Sequence, residues 1–304
     1  MRRKPFLLYK VALDKTCIMW YHIIQHIVCE VISVTADTKY PILMLHGMGF
    51  RDYKHLCYWG RIPELLRKNG AMVYFGQQDS NGSVESNALQ VEKRLNEVLA
   101  ETGAEKVNII AHSKGGLEAR YLISSMGYGD RIASLTTLST PHNGSKTVDK
   151  LLRVPAPIVK GGCKLVDLWF RVLGDKSPDT YGAINIFRTD TAEKFNRNNP
   201  DSEAVYYQSY GFVMDKASSD VTMCVPWAVV NGIEGENDGL LTPEAVRWTN
   251  FRGVYRGSGR RGISHCDEVD MRRKPVPIKC ENSTDNDITE LYLKIVSELK
   301  EMGF

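Results

Sequence analysis

A chain of 304 residues, 43% hydrophobic and 25% charged, has the make-up of a globular protein and is long enough to bury a full core as one large α/β domain. A net charge of +3 gives no basic footprint for nucleic acid, and the clusters Arg260-Arg261 and Arg272-Arg273-Lys274 read as solvated loops. Seven cysteines, an odd number without a C-x-x-C spacing, count against a disulfide framework and a cysteine zinc site, and a reduced chain disfavours secretion.

Met1-Arg2-Arg3-Lys4 opens like a signal peptide, but Lys10, Asp14 and Lys15 interrupt the apolar core such a signal needs. The uncharged stretch 16–29 is too short to span a bilayer comfortably. His22, His26, Glu30 and Ser33 fall on one helical face, and the remaining residues are mostly apolar. Residues 1–37 are therefore expected to form an amphipathic helical extension. Its segment 16–34 either makes a peripheral membrane contact or docks on the protein's own domain. The two histidines have no third ligand in sight, which counts against a metal.

From Thr38 onward the pattern alternates between strand and helix. Ile42-Leu43-Met44-Leu45 suits a buried parallel strand and ends in the glycine-punctuated turn His46-Gly47-Met48-Gly49. His46 reads as a residue that fixes this loop. A helix is expected from Arg61 to Lys68, closed by Asn69-Gly70, and a strand over Ala71–Phe75. The next helix runs through Glu101 with the stripe Ala88, Val91, Leu95, Val98 and Leu99, and Gly103 stops it. A strand from Lys106 to Ile110 then leads into Ala111-His112-Ser113-Lys114-Gly115-Gly116 and a helix from Leu117 to Met126. Strand, small-x-Ser-x-Gly, helix is the context of a nucleophile elbow, in which a sharp turn leaves the serine hydroxyl exposed above the sheet. Ile132–Leu138 gives another strand, ending in Ser139-Thr140-Pro141-His142-Asn143-Gly144-Ser145. This alternation predicts a mostly parallel, doubly wound sheet with its site at the carboxyl ends of the strands.

The second half is less regular. Thr147–Gly174 is rich in Leu, Val and Ile and broken by Pro155, Pro157 and Gly161-Gly162, the composition of a lid that swings at those points. Residues 175–220 are polar and turn-rich, with a helix near Ala192–Arg197. Trp227-Ala228-Val229-Val230 reads as a strand leading to Asp238, which makes Asp238 the acid placed to orient a catalytic histidine. His265 is the only histidine after Asp238, as the order Ser…Asp…His requires. Ile288–Leu299 closes the chain as an amphipathic helix. For acyl transfer the oxyanion needs two backbone N–H groups, and Met48 and Lys114 are placed to supply them.

The segments Pro41–Met48, Ala111–Gly116, Ser139–Ser145, Asn237-Asp238-Gly239-Leu240 and His265-Cys266-Asp267-Glu268-Val269 resemble the bacterial true lipases of the α/β-hydrolase superfamily. The likeness is densest from Pro41 to about Asp149, resumes near Val229–Val269 and includes the final helix, leaving 1–37 uncovered. The departures are Ala111 at the elbow's first glycine, Cys266 where the family prefers an apolar residue, and Lys114, which places a charge at the mouth of the site. The resemblance implies an α/β-hydrolase domain over 38–304 and a serine esterase of lipase type that uses no organic cofactor. A phospholipase, a short-chain carboxylesterase and an acyltransferase use the same triad, and a catalytically silent membrane-binding module shares the fold. The resemblance also implies a structural calcium ion tying the histidine loop to the loop before the aspartate. Its expected ligands are Asp267, Asp220 (with Asp215 as competitor) and the main-chain oxygen of Met271.

Overall fold

Short runs of β-branched and large apolar residues build the centre of the molecule. The computed structural model describes residues 35–49, 57–279 and 287–304, so the helix expected over 16–34 lies outside the described residues. Among the described residues, seven strands form one sheet: β1 (Ile42–Leu45), β2 (Val73–Phe75), β3 (Val107–His112), β4 (Ile132–Leu138), β5 (Tyr206–Val213), β6 (Phe251–Gly257) and β7 (Ile278–Lys279). Their order is β2-β1-β3-β4-β5-β6-β7, and all neighbours are parallel except β6 and β7. Every residue of β1, β3 and β4 is buried, as a parallel sheet covered on both faces requires.

The period-2 geometry of the strands divides the core between the two faces. Ile42, Met44 and Ile110 pack with Ile62 and Leu66 of α1 (Ile62–Lys68) and with Leu291, Ile295 and Leu299 of the last helix, α10 (Ile288–Glu301). Leu43, Leu45 and Ile109 pack on the other face against Ala88, Val91, Leu95 and Val98 of α2 (Val84–Thr102) and Leu122 of α3 (Lys114–Ser124). Each such leucine contributes about 1.5–3 kcal/mol by leaving water. The ends of α2 are fixed by its own sequence: Ser83 accepts a hydrogen bond from the Ser86 amide, and Gly103 takes the left-handed conformation at φ 69°. After β1 the chain crosses to β2, then returns to lay β3 on the other side of β1. The reversal opens a crevice at the carboxyl ends of β1 and β3, the place where ligands bind in open α/β sheets.

The remaining helices are α4 (Lys146–Leu151), α5 (Ala156–Val172), α6 (Thr180–Asn185), α7 (Thr189–Asn198), α8 (Cys224–Ile233) and α9 (Pro243–Val246). Three of these regions differ from the sequence expectation. The expected strand at Trp227–Val230 lies inside α8. A four-residue apolar run does not separate strand from buried helix by periodicity, and Pro226 in the first turn suits a helix start. Second, Gly161-Gly162 do not interrupt α5, which runs through them and through Pro157 in its first turn. One break falls at Leu152–Pro155, Pro155 being among the expected points, and another at Gly174. Third, the turn-rich stretch 175–220 contains β5, buried from Tyr207 to Val213. Gln208 and Ser209 disguise it, and both are satisfied inside, by Thr136 Oγ1 at 2.9 Å and the Trp248 carbonyl at 3.1 Å. No helix among the described residues is long and apolar enough to cross a membrane.

Candidate active site

Ser113 joins β3 to α3 with φ 53° and ψ −129°, a conformation that costs an ordinary residue about 1–3 kcal/mol and persists only where neighbours enforce it. They do. The Ser113 amide donates to the Leu138 carbonyl at 2.9 Å, and Thr140 Oγ1 donates to the Ser113 carbonyl at 2.8 Å. A Cβ at Gly115 would lie 2.7 Å from the carbonyl oxygens of Leu45 and His46, and one at Gly47 would lie 2.8 Å from Ser113 Cβ. Glycine at both positions is what lets β1, the elbow and α3 meet. The serine residue as a whole is 8% exposed.

The turn after β1 carries Met48 between Gly47 and Gly49, the latter at φ 89°. Lys114 begins α3, where amides have no intrahelical acceptor. His46 is buried, with its ring nitrogens 2.8 and 3.0 Å from the carbonyl oxygens of Gly47 and Gln78, so it fixes the loop as expected. The Lys114 side chain does not put charge at the mouth of the site. It is 1% exposed, forms an ion pair with Glu118 and donates to the Gly82 carbonyl at 2.9 Å. Glu118 also accepts from Gln78 Nε2 at 3.1 Å and Asn87 Nδ2 at 2.7 Å. A buried ion pair persists where further hydrogen bonds complete it; Glu118 and the Gly82 carbonyl draw the lysine inward, beneath the elbow, and Gln78 and Asn87 complete the glutamate.

His265 and Asp238 come together from separate loops. His265 Nδ1 faces Asp238 Oδ2 at 2.9 Å, and the His265 amide donates to the Asp238 carbonyl at 2.7 Å. The other carboxylate oxygen accepts the amides of Leu240 and Leu241, both at 2.8 Å. Burial works to raise Asp238, but the adjacent His265 and these hydrogen bonds outweigh it and hold the carboxyl below its ordinary range. The His265 ring lies 4.4 Å, centroid to centroid, from that of His112, the residue preceding Ser113. His112 brings the elbow and the histidine turn together.

Sequence reasoning assigned no role to three further groups at this floor. His112 Nδ1 lies 2.7 Å from the Tyr58 hydroxyl, and His112 Nε2 lies 3.0 Å from Glu268 Oε2. The other Glu268 oxygen is 3.9 Å from His265 Nδ1. Burial, and then the charge of Asp238, push Glu268 well above the ordinary carboxylate range. Burial, and then nearby His265, push His112 well below the ordinary histidine value. A histidine inside the elbow and a glutamate three residues after His265 are visible in the sequence. Their convergence is not, because it is set by tertiary packing.

The residues expected to hold calcium do not fit that ion, which takes six to eight oxygen ligands. Asp267 is sealed from solvent; its Oδ1 accepts from Arg272 Nε at 2.6 Å and its Oδ2 faces Arg261 at 3.1 Å. Asp220 accepts from the Thr222 amide and hydroxyl at 2.9 and 2.7 Å and from Ser264 Oγ at 2.6 Å. Its competitor Asp215 is exposed. The Met271 amide closes a turn to the Cys266 carbonyl at 3.1 Å, and the Met271 side chain packs against the core. A cation placed between the aspartates would have to displace two guanidinium groups. Cys266 is buried like the apolar residue it replaces.

A parallel sheet with a strained serine at its switch point and a His–Asp pair delivered by later loops defines an α/β-hydrolase. The sequence model of the palmitoyl protein thioesterase family matches residues 41–203. Triacylglycerol lipase 2 of Saccharomyces cerevisiae is 30% identical over 262 residues, covering 81% of this chain and 74% of that protein. Triacylglycerol lipase of Vibrio cholerae is 28% identical over 294 residues, covering 88% and 89%. The crystal structure of Staphylococcus hyicus lipase superimposes with a TM-score of 0.63 at 16% identity, over 88% of this chain and 96% of that one. The chain is a lipase/esterase hydrolase: it belongs to the triacylglycerol lipase family and carries the domain of the palmitoyl protein thioesterase family.

Proposed function

We propose that the chain cleaves acylglycerols or related lipid esters through an acyl-enzyme on Ser113. The observation that carries this reading is the strained Ser113 at the switch point, with the ring of the preceding His112 4.4 Å from that of His265, and a His265–Asp238 pair closed at 2.9 Å. His265 takes the Ser113 proton as Ser113 attacks the ester carbonyl, and the main-chain N–H groups of Met48 and Lys114 stabilise the oxyanion. His265 returns the proton to the departing alcohol; water, deprotonated by the same histidine, then releases the acid. Asp238 keeps its charge and holds the imidazole in the productive tautomer. The chemistry is complete without an organic cofactor.

The segment Thr147–Gly174 is the proposed lid. Ile158, Leu165, Leu168, Trp169 and Val172 of α5 are between 62% and 75% exposed, an apolar patch of the kind that meets a lipid surface. Residues 16–34 are proposed to add peripheral membrane contact. The palmitoyl protein thioesterase match favours one second reading, a long-chain acyl thioester as substrate. Hydrolysis of p-nitrophenyl esters and acyl thioesters across chain lengths, with and without detergent micelles, tests both. A preference for long-chain oxygen esters presented in micelles supports the lipase reading. Faster turnover of thioesters supports the second, and turnover of neither class refutes both.

A further inference from the structure

Two arginines, read from the sequence as solvated loop residues, turn inward and converge on one buried carboxylate. Arg272 Nε donates to Asp267 Oδ1 at 2.6 Å, and the Arg261 guanidinium lies 3.1 Å from Asp267 Oδ2. Both arginine side chains are about one-third exposed, at 33% and 35%, while that of Asp267 is 0% exposed. Arg261 reaches further, donating through Nε to the carbonyl of Ser219, the residue before Asp220, at 2.6 Å. From the other direction, Ser264 Oγ donates to Asp220 Oδ2 at 2.6 Å and accepts the Asp267 amide at 3.2 Å. The circuit Ser219/Asp220–Ser264–Asp267–Arg261 is therefore closed, and His265 lies within it in the chain, between Ser264 and Asp267.

We infer that Arg261 and Arg272 are positioning residues that replace a divalent cation at the His265 turn: Arg261 ties the turn to the Asp220 loop through Ser219, and Arg272 neutralises Asp267 from within the turn. The charge arithmetic supports it. Asp220 and Asp267 bring two negative charges, and two guanidinium groups bring the same two positive charges as a calcium ion. Guanidinium suits the task because its planar fork spans a carbonyl and a carboxylate at once, which a lysine ammonium does not do with fixed geometry. A cation carried on the chain needs no supply of metal, so the turn stays in register when calcium is withdrawn. The inference rests on the reading of His265 as the base, but its tests do not all depend on turnover.

The experiment compares melting temperature, kcat and KM in excess chelator and in millimolar calcium. It uses the full chain and the variants Arg261→Gln, Arg272→Gln, Arg261→Lys and the double glutamine variant. The wild type is expected to show the same melting temperature and kcat in both conditions. Each single glutamine variant should lose about tenfold in kcat with little change in KM, the signature of a misplaced catalytic group. Arg261→Lys should keep the charge but recover only part of the loss. In the double variant the uncompensated aspartates should acquire calcium dependence, with the ion raising its melting temperature. If the double variant does not fold, Arg272→Gln carries the same calcium comparison. A wild-type melting temperature that rises with calcium and falls with chelator would overturn the inference. So would folded glutamine variants with wild-type kcat and no response to calcium. The melting temperatures read the tether even if no ester is turned over, so a failure of the hydrolase reading is distinguishable from a failure here.

Discussion

His112 and Glu268 face each other at 3.0 Å beneath the elbow serine, both fully closed to water. Burial holds the His112 pKa well below and the Glu268 pKa well above their ordinary values, while His265 and two amides hold Asp238 below its own. The two carboxyl groups within reach of His265 are therefore shifted in opposite directions. This division of roles comes from the environment and not from residue type.

A pH dependence follows for stability. The Glu268 pKa is raised in the folded state, so the folded protein holds a proton that the unfolded chain releases above the ordinary glutamate value of about 4.3. Stability contributed by this group is full below that value and is lost as pH rises towards the raised pKa. Glu268→Gln keeps the shape and carries no such proton. Thermal unfolding should show the variant gaining on the wild type between weakly acidic and neutral pH. A difference that stays constant or shrinks over that range would contradict the assignment.

Lys114 offers a test of the packing beneath the elbow. Its ammonium compensates Glu118 in a site closed to solvent. Removing one partner of such a pair strands the other, so Lys114→Ala should cost about 3–5 kcal/mol in urea unfolding. Replacing both by apolar residues of similar volume should cost less than the single change. A loss under about 1 kcal/mol, as for an exposed pair, would place the ammonium in solvent instead.

Trp169 is 62% exposed on the apolar face of α5. Trp169→Ser should leave the melting temperature unchanged, because an exposed side chain stabilises little. It should lower hydrolysis of micellar esters while sparing soluble short-chain esters. An equal loss on both would remove the lipid-facing role of the helix.

Much of the catalytic half was legible because its signals are local. The apolar run Ile42–Leu45, the stripe from Ala88 to Leu99 and the small residues around Ser113 each specify their element within a few residues. The second half was not, because its signals are tertiary. Tyr206–Val213 is a central strand whose Gln208 and Ser209 find partners in Thr136 and Trp248, far away in sequence. Trp227–Val230 is a helix whose apolar run fits either structure. The sequence places Asp238 after a strand; it lies instead in the turn after α8, and its pairing with His265 does not depend on that strand. Arg261 and Arg272 look like ordinary surface charge until the fold brings Asp267 between them.

The central claim is that Ser113 attacks the acyl group with His265 and Asp238 behind it. Labelling with an alkyl phosphonate ester, followed by peptide mass spectrometry, tests it most directly. The wild type should carry a single adduct on Ser113, and Ser113→Ala, with an unchanged melting temperature, should carry none. His265→Ala and Asp238→Asn should slow labelling by orders of magnitude, and combining either with Ser113→Ala should cost esterase activity little more than the single changes, as expected of groups that act as a unit. An adduct on any other residue, or labelling of Ser113→Ala at the wild-type rate, would contradict the account.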